Sequence, residues 1–203
     1  MSFGRKQGAL VRSFVALPLP EDVRVACAAL AVELAGRPGG EGVRWARSEG
    51  YHVTLRFLGN VEAEQLSVLA HAVQRAAAAT SPFDLSAGPP VTFPPGRKAR
   101  VVALGLSPKE PLRQLAERVE AALVESGIPE ESRRFQAHLT LGRIRNRRVP
   151  SLEAVGPPAE SFWRVDEIVL YRSDLERDGA RHTPLAQCPL GPELPEPAAL
   201  HSP

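Results

Sequence analysis

The chain has 203 residues, with 25 Lys and Arg against 23 Asp and Glu. A net charge of +2 does not fit a general nucleic-acid coating protein, so any basic site must be local. Two cysteines without CxxC spacing, Cys27 and Cys188, argue against a zinc site or a disulfide framework and point to a reducing cytoplasm. The charged residues 1–7 lack an apolar centre, and no stretch approaches about 18 apolar residues, so neither a signal peptide nor a membrane span is expected. Phosphate-loop and dinucleotide fingerprints are absent.

In chain order, residues 11–17 read as a strand stopped by Pro18-Leu19-Pro20, and residues 21–35 as a helix with acidic residues in its first turn. The glycines of residues 36–42 read as a flexible connection. Residues 43–47 form a short strand that leads through Ser48-Glu49-Gly50 into a strand over 51–58, ended by Gly59-Asn60. Residues 62–79 have helical spacing, with Leu66, Leu69, Ala70 and Val73 on one face. Strands over 83–92 and 100–106 flank the Pro94-Pro95-Gly96-Arg97 turn. A helix over 110–125 follows, turning Leu112, Leu115, Val119 and Leu123 inward, and Gly127 ends it. Strands are then expected over 136–144, 162–171 and 184–190.

Irregular alternation with short connections predicts an α+β fold with largely antiparallel sheets, flanking helices and two pseudo-symmetric lobes. Residues 1–190 read as one domain, and the proline-rich residues 191–203 as a disordered tail.

Each half contains one strand with the same signature, His52-Val53-Thr54-Leu55 and His138-Leu139-Thr140-Leu141, in a chain with five histidines. Side chains alternate along a strand, so each histidine and its threonine share a face. Two such strands facing across a cleft would surround one small volume with two imidazoles and two hydroxyls, which suits acid–base chemistry on an anionic centre such as a phosphate. A lone histidine on a strand is usually structural; the repetition carries the reading. His71, His182 and His201 have no such pattern and read as structural or exposed.

These motifs are similar to those of a known family. With Phe14-Val15-Ala16-Leu17-Pro18, Val43-Arg44-Trp45, the extension Arg56-Phe57-Leu58-Gly59, the segment Phe135-Gln136-Ala137 and the stretch from Val165 to Ser173, the chain resembles the 2H phosphoesterases. It most closely resembles the RNA 2′,3′-cyclic phosphodiesterases once called 2′-5′ RNA ligases. The pattern departs at Ala137, where the family usually has proline.

The resemblance implies two lobes around a central cleft and hydrolysis of 2′,3′-cyclic phosphate ends to 2′-phosphomonoesters without metal or cofactor. The reverse reaction would be 2′-5′ ligation. It implies His138 as the base that activates water and His52 as the acid on the leaving 3′ oxygen, with swapped roles open. Thr54 and Thr140 would donate to the phosphate oxygens, or else tie strand to strand. Arg143 matches a phosphate-contacting position, but alternation points it away from His138 unless a bulge lies near Gly142; the alternative is a rim charge. Arg56 has the parity for the cleft, and Phe57 the parity for the core. Arg143, Arg145, Arg147 and Arg148, with Arg133 and Arg134, could guide RNA or form a solvated basic loop. The expected partners are RNA with a cyclic phosphate end and nucleotide cyclic phosphates, acted on by a cytoplasmic monomer.

Overall fold

Phe14, Val15, Ala16 and Leu17 are all buried, a run apolar on both faces that suits a strand with neighbours on either side. The computed structural model describes residues 9–145, 148–176 and 179–192 and puts that run inside a sheet. Among the described residues the elements are β1 (Leu10–Leu17), α1 (Glu21–Ala35), β2 (Val43–Trp45), β3 (Val53–Glu62), α2 (Leu66–Ala78), β4 (Phe83–Phe93), β5 (Val101–Ser107), α3 (Lys109–Glu125), β6 (His138–Ile144), β7 (Phe162–Val165), β8 (Glu167–Glu176) and β9 (Gly179–Pro189). One sheet has the order β3-β1-β8-β9 and the other β2-β6-β5-β4-β7, with every pairing antiparallel.

The helices tie the two sheets into one body. α1 leaves β1 of the first sheet yet packs on β2 and β6 of the second, whereas α3 leaves β5 of the second and packs on β3 of the first. α2 lies on β8 and β9 and against α3. Leu69, Leu115, Leu139 and Leu170 therefore belong to one continuous apolar core. This is the α+β antiparallel architecture that the sequence implies, with one histidine motif in each sheet.

Four local expectations are corrected. Residues 36–42 are tightly packed rather than flexible: Gly39 has φ +90°, and a Cβ on Gly40 would stand 2.4 Å from the carbonyl oxygens of Leu34 and Ala35. β3 does not end at Gly59-Asn60. Gly59 takes φ +71° within the strand, and pairing with β1 continues to Glu62. Residues 162–171 are two strands, since the chain leaves the second sheet after Val165 and enters the first at Glu167. β9 starts at Gly179 rather than 184; it is an edge strand, where Pro184 costs no interior ladder bond.

The expected helix over 62–79 is also divided. A 3-10 turn over Ala63–Gln65 precedes α2, and Glu62 and Gln65 form a reciprocal capping box there. The expected tail lies outside the described residues beyond Pro192. No helix among the described residues is long and apolar enough to cross a membrane.

Candidate active site

The two histidines are held in the same way. The Nδ1 of His52 lies 2.7 Å from the carbonyl oxygen of Gly50, and that of His138 lies 2.7 Å from the carbonyl oxygen of Gln136, each two residues upstream. A carbonyl only accepts, so each Nδ1–H donates, and in the neutral ring the lone pair is left on Nε2. Each ring also rests on a phenylalanine. His52 and Phe14 have centroids 4.8 Å apart, and His138 and Phe93 lie 5.0 Å apart. Thus the repeated motif produces a repeated setting, with one nitrogen anchored and one face supported.

Burial alternates through both motifs: Val53 and Leu55, like Leu139 and Leu141, are buried, whereas the histidines and threonines are partly exposed. Among the described residues the hydroxyls of Thr54 and Thr140 make no hydrogen bond, so neither ties strand to strand. They are available to an incoming acceptor.

Arg143 meets the condition that its expected role required. β6 slips against β5 between Thr140 and Gly142, where Leu141 is the extra residue and Leu141 and Gly142 are buried in succession. The slip reverses the alternation and leaves Arg143 exposed, and its positive charge is felt at His52. Arg56 lines the cleft beside Thr54 and His138, as its parity implies, but its guanidinium is held by the protein itself. Its side chain is 10% exposed and ion-paired with Glu120, and it also approaches Glu131 at 3.7 Å and donates to the carbonyl oxygens of Phe57 and Pro129. It joins β3 to α3 and to the segment after it. Phe57, expected in the core, is 51% exposed. Slips of β3 against β1 at Leu55 and Leu58 set it opposite Phe14.

Of the wider arginine run, Arg148 pairs with Glu41 at 3.1 Å, and Arg147 lies outside the described residues. Arg133 and Arg134 instead line a cleft of about 830 Å³ that opens beside Thr54 and His138.

One residue near the site was passed over in the sequence. His182, on β9, meets His52 edge-on with centroids 5.1 Å apart and contacts Phe14 at 4.9 Å. Among the described residues its own Nδ1 is buried without a hydrogen-bond partner. Burial pushes His52 from the ordinary 6.5 down to about 4, and His182, Arg143 and His138 press the same way against the Gly50 carbonyl. His52 is therefore neutral near pH 7. Burial also lowers His182. Among the described residues no three His, Cys, Asp or Glu side chains are grouped so as to hold a metal ion.

An antiparallel α+β fold that presents one His-x-Thr strand from each of two sheets defines a paired-histidine architecture. The chain belongs to the 2′-5′ RNA ligase superfamily, whose family model matches residues 37–177. A Geobacillus stearothermophilus protein named RNA 2′,3′-cyclic phosphodiesterase is 31% identical over 137 residues, 66% of this chain and 43% of that one. The match thus spans less than half of that relative. A protein of the same name from Archaeoglobus fulgidus is 33% identical over 158 residues, covering 77% of this chain and 86% of the relative. The crystal structure of Escherichia coli LigT with 3′-AMP superposes with a TM-score of 0.74 at 28% identity, over 90% of this chain and 99% of that one.

Proposed function

We propose that this protein is an RNA 2′,3′-cyclic phosphodiesterase that opens the cyclic end to a 2′-phosphomonoester. One observation carries this reading: two histidines with Nδ1 anchored and, among the described residues, Nε2 unengaged, each two residues from a threonine hydroxyl likewise unengaged. The names of the relatives and the 3′-AMP complex of LigT support it.

In the proposed reaction His138 takes a proton from water through Nε2. The resulting hydroxide attacks phosphorus, the bond from phosphorus to the 3′ oxygen breaks, and His52 delivers a proton to that oxygen. Thr54, Thr140 and Arg143 donate to the non-bridging oxygens as charge builds there. His52 is neutral near pH 7 without substrate, so it takes up a proton from solvent as the substrate binds, because the phosphate anion stabilises the imidazolium that burial disfavours. A 5′-hydroxyl in place of water would give a 2′-5′ bond by the same steps. Histidine supplies both acid and base, so the reaction needs no metal.

The test is an oligoribonucleotide with a 2′,3′-cyclic phosphate end, incubated with the protein in excess chelator. The expected product is a 2′-phosphate that a 3′-specific phosphatase leaves in place. A 3′-phosphate product would reverse the assignment of the leaving oxygen, and activity restored only by a divalent ion would contradict the metal-free mechanism.

A further inference from the structure

The cleft that opens beside Thr54 and His138 is also walled by α3 and by the segment before β6. Its lining includes Phe57 on β3 and Arg133, Arg134 and Phe135 on the segment leading into β6. Resting on the phosphodiesterase reading above, we propose that this part of the cleft binds the RNA nucleotide on the 5′ side of the cyclic end. Its base would lie against Phe57, and its phosphodiester would be held by Arg133 and Arg134.

Three observations support this assignment. The first is charge. Glu117, Glu120 and Glu131 also line the cleft, but Glu117 is paired with Arg113 and the other two with Arg56. Four arginines, Arg56, Arg113, Arg133 and Arg134, line the cleft against these three carboxylates; Arg133 and Arg134, both exposed, form no ion pair among the described residues, so theirs are the guanidinium groups available to a phosphate. The second is exposure of apolar area. Phe57 is 51% exposed at the cleft wall, where a π face serves any base without sequence preference. The third is spacing. Arg133 and Arg134 precede His138 by five and four residues, so an extended segment separates them from it by at most roughly 13–18 Å. Both arginines line the same cleft as His138, within a span that a phosphate next to the reacting one can occupy.

The experiment compares a nucleoside 2′,3′-cyclic monophosphate with a pentaribonucleotide ending in the same cyclic phosphate. It measures kcat/KM for the wild type, the double variant Arg133→Ala/Arg134→Ala and Phe57→Ala, with circular dichroism to check folding. In both variants the ratio of kcat/KM for the pentanucleotide to that for the mononucleotide is expected to fall by about tenfold or more. For the arginine variant, the slope of log(kcat/KM) for the pentanucleotide against log[salt] is expected to shrink by about 1–2. Equal losses on both substrates, or an unchanged ratio with the wild type active on both, would overturn this subsite alone. A wild type that opens neither substrate would overturn the parent reading and the subsite with it.

Discussion

His182 meets His52 edge to face at 5.1 Å, and both rings rest on Phe14. A titratable ring in that place works against charging His52, as do Arg143 and His138 from β6. His182→Phe keeps an aromatic ring in the cluster and removes the titratable one. The His52 titration, followed by NMR of its ring proton, is then expected to move upward from about 4, with the acid limb of kcat/KM moving with it. A downward move, or none, would show that His182 is mere packing.

Stability should depend on pH through the same residue. The folded state holds His52 at about 4 against an ordinary 6.5, so between those values the unfolded chain binds more protons. Stability present at pH 7 is therefore lost as pH falls through that window, and below about 4 this contribution stops changing. Urea midpoints at pH 7 and pH 4.5 are expected to differ less for His52→Gln than for the wild type. An equal or larger drop in the variant would contradict the assignment.

Arg56 is bound to Glu120, Glu131 and two backbone carbonyls, so its first role is to fasten α3 and the segment after it to β3. Arg56→Gln leaves the part-buried carboxylate of Glu120 without its ion pair and is expected to cost about 2–4 kcal/mol of unfolding free energy, measured by urea denaturation. The loss of stability should exceed the loss in kcat. A stable variant with strongly impaired phosphate binding would restore the expectation that Arg56 binds substrate.

Among the described residues the hydroxyls of Thr54 and Thr140 make no hydrogen bond, so Thr54→Val and Thr140→Val should leave stability within about 1 kcal/mol of the wild type. Each change removes a donor to the developing charge, and kcat is expected to fall by about 10²-fold. Stopped-flow or quench kinetics on the cyclic-ended RNA would measure this. Unchanged rates would remove the hydroxyls from the mechanism.

Much of this was legible from local pattern. α1 spans Glu21–Ala35 as read from the Pro18-Leu19-Pro20 stop and its first-turn acids, and in both motif strands the buried and part-exposed residues alternate as read. What was hidden depends on partners distant in the chain. The passage between sheets at Asp166 carries no glycine or proline to mark it. The slips at Leu55, Leu58 and Leu141 arise from pairing with β1 and β5, and they decide where Phe57 and Arg143 point. Proline at 184 masked the strand that brings His182 to His52, because its tolerance depends on β9 being an edge. The partners of Arg56 lie on and after α3, beyond any window around the motif.

The central claim is that two histidines perform the proton transfers. Single-turnover hydrolysis of RNA ending in a 2′,3′-cyclic phosphate, measured for His52→Ala and His138→Ala with folding checked by circular dichroism, tests it most directly. Each folded variant is expected to lose about 10²-fold or more in the chemical step, because each lacks one proton-transfer partner. Hydrolysis at the wild-type rate in either folded variant would contradict the account.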